Sequence, residues 1–95
     1  MSEPELTPEQ IVEQIKRLDV SDLVVSTVTT LAQLGYAKLE EGTRDLDQAR
    51  LAIDSLRALV PQLEGHVPAE LARDLNAMVA NLQLAYAGAA AKPVE

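Results

Sequence analysis

The chain has no cysteine, no tryptophan and no phenylalanine, one histidine (His66), and only two tyrosines, Tyr36 and Tyr86. Without cysteine, disulfides, thiolate metal sites and cysteine nucleophiles are excluded together. The scarcity of aromatics means that any core must be aliphatic, which suits helix-on-helix packing better than a β-sandwich, whose strands favour aromatic and β-branched residues. Positive charge is also in short supply. Eight Lys and Arg stand against fifteen Asp and Glu, a formal charge of −7, and this disfavours broad contact with nucleic-acid phosphates or anionic lipid. No apolar run approaches the roughly 20 residues of a membrane span, and no basic-then-apolar opening suggests a signal peptide. These shortages predict a soluble cytoplasmic protein with no nucleic-acid partner, no membrane span and no cofactor.

What is present is a large aliphatic fraction: 47% of the 95 residues are hydrophobic. A chain of this length builds one core, not two. The clearest pattern is Asp45 to Leu63, where Leu46, Ala49, Ile53, Leu56, Val60 and Leu63 alternate spacings of three and four and so share one stripe of an α-helix. Asp45 is placed to cap it, with Gln48 completing a capping box. Asp47 with Arg50 and Asp54 with Arg57 are predicted ion pairs on the flank of the stripe, each worth only a few tenths of a kcal/mol. Pro61 removes an amide donor and clashes with the preceding turn, so the helix should kink or end near Val60, with Leu63 closing the core from a looser turn.

Three further helices flank this one. Thr7 offers an N-cap, Pro8 suits the first helical position, and Gln10 completes a capping box. Ile11, Ile15 and Leu18 then give a short helix one narrow apolar face, with Glu9, Glu13, Lys16 and Arg17 facing water. A helix this short is marginal alone and should dock on the rest. The next helix is predicted from Asp22 to about Glu41, capped by Asp19 or Ser21 and ended by Gly42. Its apolar residues, from Leu23 to Leu39, spread over about half the circumference, more than the roughly 100° stripe that one core requires. It should therefore pack on two surfaces, the second being another chain. Gly35 lies in that arc, where a missing side chain permits close helix approach. After a turn at Gly65, His66, Val67 and Pro68, the spacing of Leu71, Leu75, Met78, Leu82 and Tyr86 predicts a last helix to about Ala87.

The fold class predicted is all-α: a three-helix up-down-up bundle with an additional short N-terminal helix. The expected domain organisation is a flexible tail at 1–6, a single bundle at 7–88 and a second flexible tail at 89–95. Leu51 and Leu84 point away from the inferred core stripes, which together with the wide apolar arc favours self-association.

The segments LAQLGYAKLEEG, DLDQARLAIDSLRALVPQLEG and LQLAYA, in that order and spacing, resemble a small bacterial family catalogued as domain of unknown function number 1844. The likeness covers roughly Val20 to Ala87, and DLDQARLAIDSL is its most specific part. The resemblance implies a compact, cytoplasmic, all-helical bacterial protein and brings no catalytic residues with it. Pro61, and His66 with Pro68 in place of a polar Lys/Asn-rich turn, depart from the family pattern.

No motif carries chemistry. His66 with Glu64 and Glu70 falls short of a zinc set, which gathers three or four ligands. The acidic turn of Glu40, Glu41, Asp45 and Asp47 lacks the order of a calcium loop. Ser26, Thr27, Thr29 and Thr30 have no base nearby, and no glycine-rich phosphate loop is present. The reading that follows is a non-enzymatic interaction module, forming a homodimer or meeting an unidentified protein through Val24, Val25, Val28, Ala32, Tyr36 and Leu39. A helical bundle that binds a small ligand or is weakly catalytic, and an acidic protein docking on a basic partner, are the alternatives.

Overall fold

The computed structural model describes residues 7–91, and the described residues are all-α. Helix α1 spans Pro8–Arg17, α2 Val20–Ala37, α3 Leu46–Leu59 and α4 Ala69–Ala91, with short 3₁₀ turns at Glu41–Thr43 and Val60–Leu63. The expected tail at 1–6 lies outside the described residues, as do the last four residues of the expected tail at 89–95. Ala89 to Ala91 are not part of a tail. They continue α4 through Gly88, and Ala89 is buried.

Each helix boundary has a local cause. The Thr7 hydroxyl accepts from the Gln10 amide at 3.1 Å, and the Gln10 side chain accepts from the Thr7 amide at 2.9 Å, a complete capping box. Asp45 likewise accepts from the Gln48 amide at 3.1 Å. The predicted return bond from Gln48 does not form, because the Asp45 amide donates to the Lys38 carbonyl at 2.8 Å instead. The α-helical part of α3 stops at Leu59, one residue before Val60, and Pro61 sits in the tighter 3₁₀ turn that follows. Leu63 closes the core from that turn. Gly65 follows with φ +81, a left-handed conformation that L side chains avoid.

Helix α2 begins two residues earlier than expected and ends four residues earlier, at Ala37. The connection to α3 then satisfies carbonyls that the helix end leaves open. The Thr43 hydroxyl donates to the Ala37 carbonyl at 3.0 Å, and Arg44 donates from Nε and Nη2 to the Leu39 carbonyl at 3.2 and 3.1 Å. With the Asp45 amide on Lys38, three successive carbonyls are held, and Leu39 is folded back into the core where a continuing helix would have carried it on.

Helices α2, α3 and α4 pack mutually, and both α2 and α4 touch the Val60–Leu63 turn. Their shared core is aliphatic: Val28, Ala32 and Leu39 from α2 and its end, Ala49, Ile53 and Leu56 from α3, Val60 and Leu63 from the turn, and Leu75, Val79 and Leu82 from α4. Gly35 marks a close approach of α2 to both neighbours. A Cβ built there would lie 3.0 Å from Leu82 Cδ2 and 3.2 Å from Ala52 Cβ, so hydrogen at this position lets α2 seat against both neighbours.

Helix α1 departs from expectation. None of its residues is buried, and none belongs to the core or packs against it. The radius of gyration, 17.3 Å, exceeds the about 12 Å expected of a compact domain this size, as a helix standing off a bundle requires. Among the described residues no helix is long and apolar enough to cross a membrane.

Candidate interaction surface

Helix α2 presents two apolar sides, and the structure assigns them differently from the sequence reading. Val28, Ala32 and Leu39 are buried, and Val24 and Val25 pack against the same core. Tyr36 is exposed at the rim. The face predicted to meet another chain is thus, apart from Tyr36, the face that the chain's own α3 and α4 cover. Val28, Ala32 and Gly35 recur at four and three, the period of a single buried stripe, and Leu39 joins them from the turn beyond the helix end, so three of the six predicted interface residues are buried in the chain's own core.

The other edge of the arc is largely exposed, with only Leu31 packed in part against the core. Val20, Leu23, Thr27, Leu31 and Leu34 recur at three, four, four and three, a second stripe on the flank of the first. Leu23 is 60% exposed and Leu34 51%, while Leu31 is half-buried. Leu34 and Leu31 line a groove of about 210 Å³ between α2 and α3, together with Leu51 (58% exposed) and with Gln48, Ser55 and Lys38. From Leu23 to Ala37 the helix carries no charged residue. Thr27, Thr29 and Thr30 spend their hydroxyls on their own backbone, donating to the carbonyls of Leu23, Val25 and Ser26 at 2.8 to 3.0 Å. Such back-bonding does not itself stabilise a helix; so β-branched a segment remains helical because its inner face is packed against α3 and α4.

Helix α1 adds a second apolar surface. Ile11, Val12, Ile15 and Leu18 are between 45% and 61% exposed. At 100° per residue, Gln10 and Gln14 border the stripe of Ile11, Ile15 and Leu18, and Glu9, Glu13, Lys16 and Arg17 lie on the opposite side. Sequence reasoning found both features, the wide arc on α2 and the stripe on α1, but placed α1 against the bundle and the dimer contact on the inner face. The signal that separates inner from outer on α2 is Gly35, which lies within the buried stripe.

The polar candidates do not converge. His66 is exposed and lines an open groove of about 420 Å³ with Asp19, Val20, Ser21, Val24 and Gln62. Among the described residues, no hydrogen bond joins Asp19, Ser21 and His66, and no group of three or more His, Asp and Glu side chains is placed to hold a metal ion. Asp45 is engaged in capping α3. A nucleophile within hydrogen-bond reach of a base is the minimum for covalent chemistry, and these residues do not supply one.

Residues 17–88 match the family described as a domain of unknown function (DUF1844). The chain belongs to this family. No curated protein and no solved structure matches it. The DUF1844 match opens on Arg17, the last residue of α1, and closes on Gly88 in α4. The DUF1844 region therefore coincides with the packed bundle of α2, α3 and α4 and carries the outer stripe of α2, whereas Ile11, Val12 and Ile15 of α1 precede it.

Proposed function

We propose that this chain is a non-enzymatic, cytoplasmic interaction module that self-associates through exposed apolar helix surface. The observation that carries the reading is the state of α1: a complete capping box and a sharply amphipathic sequence support a helix whose apolar stripe touches no core. A ten-residue helix is marginal in water by itself, so its stripe is best accounted for by a partner surface. Covering four half-exposed aliphatic side chains is worth roughly 1 kcal/mol apiece. A modest, concentration-dependent association follows, because joining two molecules costs several kcal/mol.

Light scattering across the micromolar range tests this. A mass that rises from one chain to two, and stays at one chain for Ile15→Glu, is expected. A wild-type mass of one chain throughout defeats self-association.

The open groove beside His66 supports a second reading, a small-ligand site. Its volume lies within the range of ligand pockets, and Val20, Val24 and Leu63 give it an apolar floor beside the polar Asp19, Ser21 and His66. A ligand screen read by thermal shift, repeated on His66→Ala, discriminates: stabilisation that disappears in the variant favours it.

A further inference from the structure

Resting on the self-association reading, we infer that the dimer is reciprocal: α1 of each chain lies in the groove between α2 and α3 of the other, its Ile11, Ile15 and Leu18 against Leu31, Leu34 and Leu51. Each chain carries two apolar surfaces that its own core leaves partly exposed, a helix stripe and a groove with Leu34 and Leu51 open to solvent, and in the structure they do not meet.

Geometry keeps them apart within one chain. Leu18 and Asp19, the only residues between α1 and α2, are both extended, with ψ 136. Helix α1 has ten residues and is about 15 Å long at 1.5 Å per residue. Leu34 lies fourteen positions beyond Val20, about 21 Å along α2 by the same rise. Folded back on its own α2, α1 would reach only the region of Thr30 and would leave Leu34 and Leu51 bare. A second copy has no such tether. Its α1 can enter the groove directly, in the manner of an amphipathic helix anchored at i and i+4 by Ile11 and Ile15, with Leu18 following at the helix C-cap.

Charge selects the same occupant. Each chain bears −7, so most ways of pairing two copies oppose like charges. The α1 stripe is bordered by Gln10 and Gln14, and the groove by Gln48, Ser55 and the single cation Lys38. No carboxylate lines the groove itself, while Asp47 and Asp54 stand at its outer rim one turn to either side of Leu51; depletion of charge at the centre with a polar rim is what distinguishes an interface from ordinary surface. Two-fold exchange closes the assembly, because each chain gives one helix and receives one.

The absence of cysteine permits a direct test. Full-length Ile15→Cys and Leu34→Cys proteins, each altered at an exposed position, are mixed in equal amounts, oxidised, and resolved on a non-reducing gel after circular dichroism has shown both to be folded. The mixed disulfide, joining one variant to the other, is expected in severalfold excess over either homodimer. Leu51→Glu is expected to weaken wild-type association about tenfold or more by placing a carboxylate in the groove. If the wild type is dimeric but the mixed disulfide forms no more than statistically, the reciprocal arrangement is wrong and self-association stands. If the wild type is monomeric throughout, both are wrong.

Discussion

Helices α1 and α3 are written in the same local code. Each opens on a side-chain cap with glutamine three residues later, carries an acidic residue in the first turn and a basic one in the last, and repeats aliphatic residues at three and four. In α3 the stripe of Ala49, Ile53 and Leu56 is buried under α2 and α4, whereas in α1 the stripe of Ile11, Ile15 and Leu18 faces solvent. Local signals therefore specify that a helix forms and which side is apolar, but not what covers it. The covering is decided by reach. Helix α3 is joined to both neighbours by connections that fold back, with the Arg44 and Thr43 bonds fixing one of them, while α1 is joined by two extended residues.

The contrast can be broken most strongly by truncating the two stripes in dilute protein. Leu56→Ala, at a site with no exposure, is expected to cost about 2–5 kcal/mol of unfolding free energy in urea. Ile15→Ala is expected to change it by about 0.5 kcal/mol or less, as surface positions do. Equal effects would mean that α1 belongs to the bundle after all. Gly35→Leu should rank next. It forces side-chain atoms into the contact with Ala52 and Leu82, so an overpacking loss of about 1–3 kcal/mol is expected despite the better helix propensity of leucine.

Arg44→Ala sharpens the reason for the difference. Removing both guanidinium bonds from the half-buried Leu39 carbonyl should cost about 1–2 kcal/mol in the same measurement. The two caps give the smallest and most discriminating pair. Asp45→Ala should lower global stability by about 1 kcal/mol. Thr7→Ala should leave the denaturation midpoint in place and raise only the exchange rates of α1 amides, since α1 opens without the bundle.

How far the sequence was legible follows from these particulars. All four helices, the cap at Asp45, the interruption at Pro61 and the closing role of Leu63 could be read from period and local chemistry, because each depends on residues within one or two turns. The end of α2 could not. Gly42 looked like its stop, but the chain leaves the helix at Ala37, where Thr43, Arg44 and the Asp45 amide bind the carbonyls of Ala37, Leu39 and Lys38, local bonds of an irregular turn that neither apolar period nor propensity encodes. The inner and outer sides of α2 were merged for a similar reason: Val28 and Leu34 are equally apolar, and only the approach of Ala52 and Leu82 at Gly35 shows which side is taken. The ion pair that forms among the described residues, Arg50 with Asp54 at 3.9 Å, was also one register away from those predicted, as befits exposed side chains that gain only tenths of a kcal/mol from either partner.

The central claim, that α1 is a docking element and not a part of the bundle, is tested most directly by amide hydrogen exchange of the intact wild-type chain at several protein concentrations. Protection of amides within α1 should rise as concentration increases, while that of α3 stays high and constant, because the one is covered by a second chain and the other by its own. Protection of α1 that is high at every concentration would contradict the account.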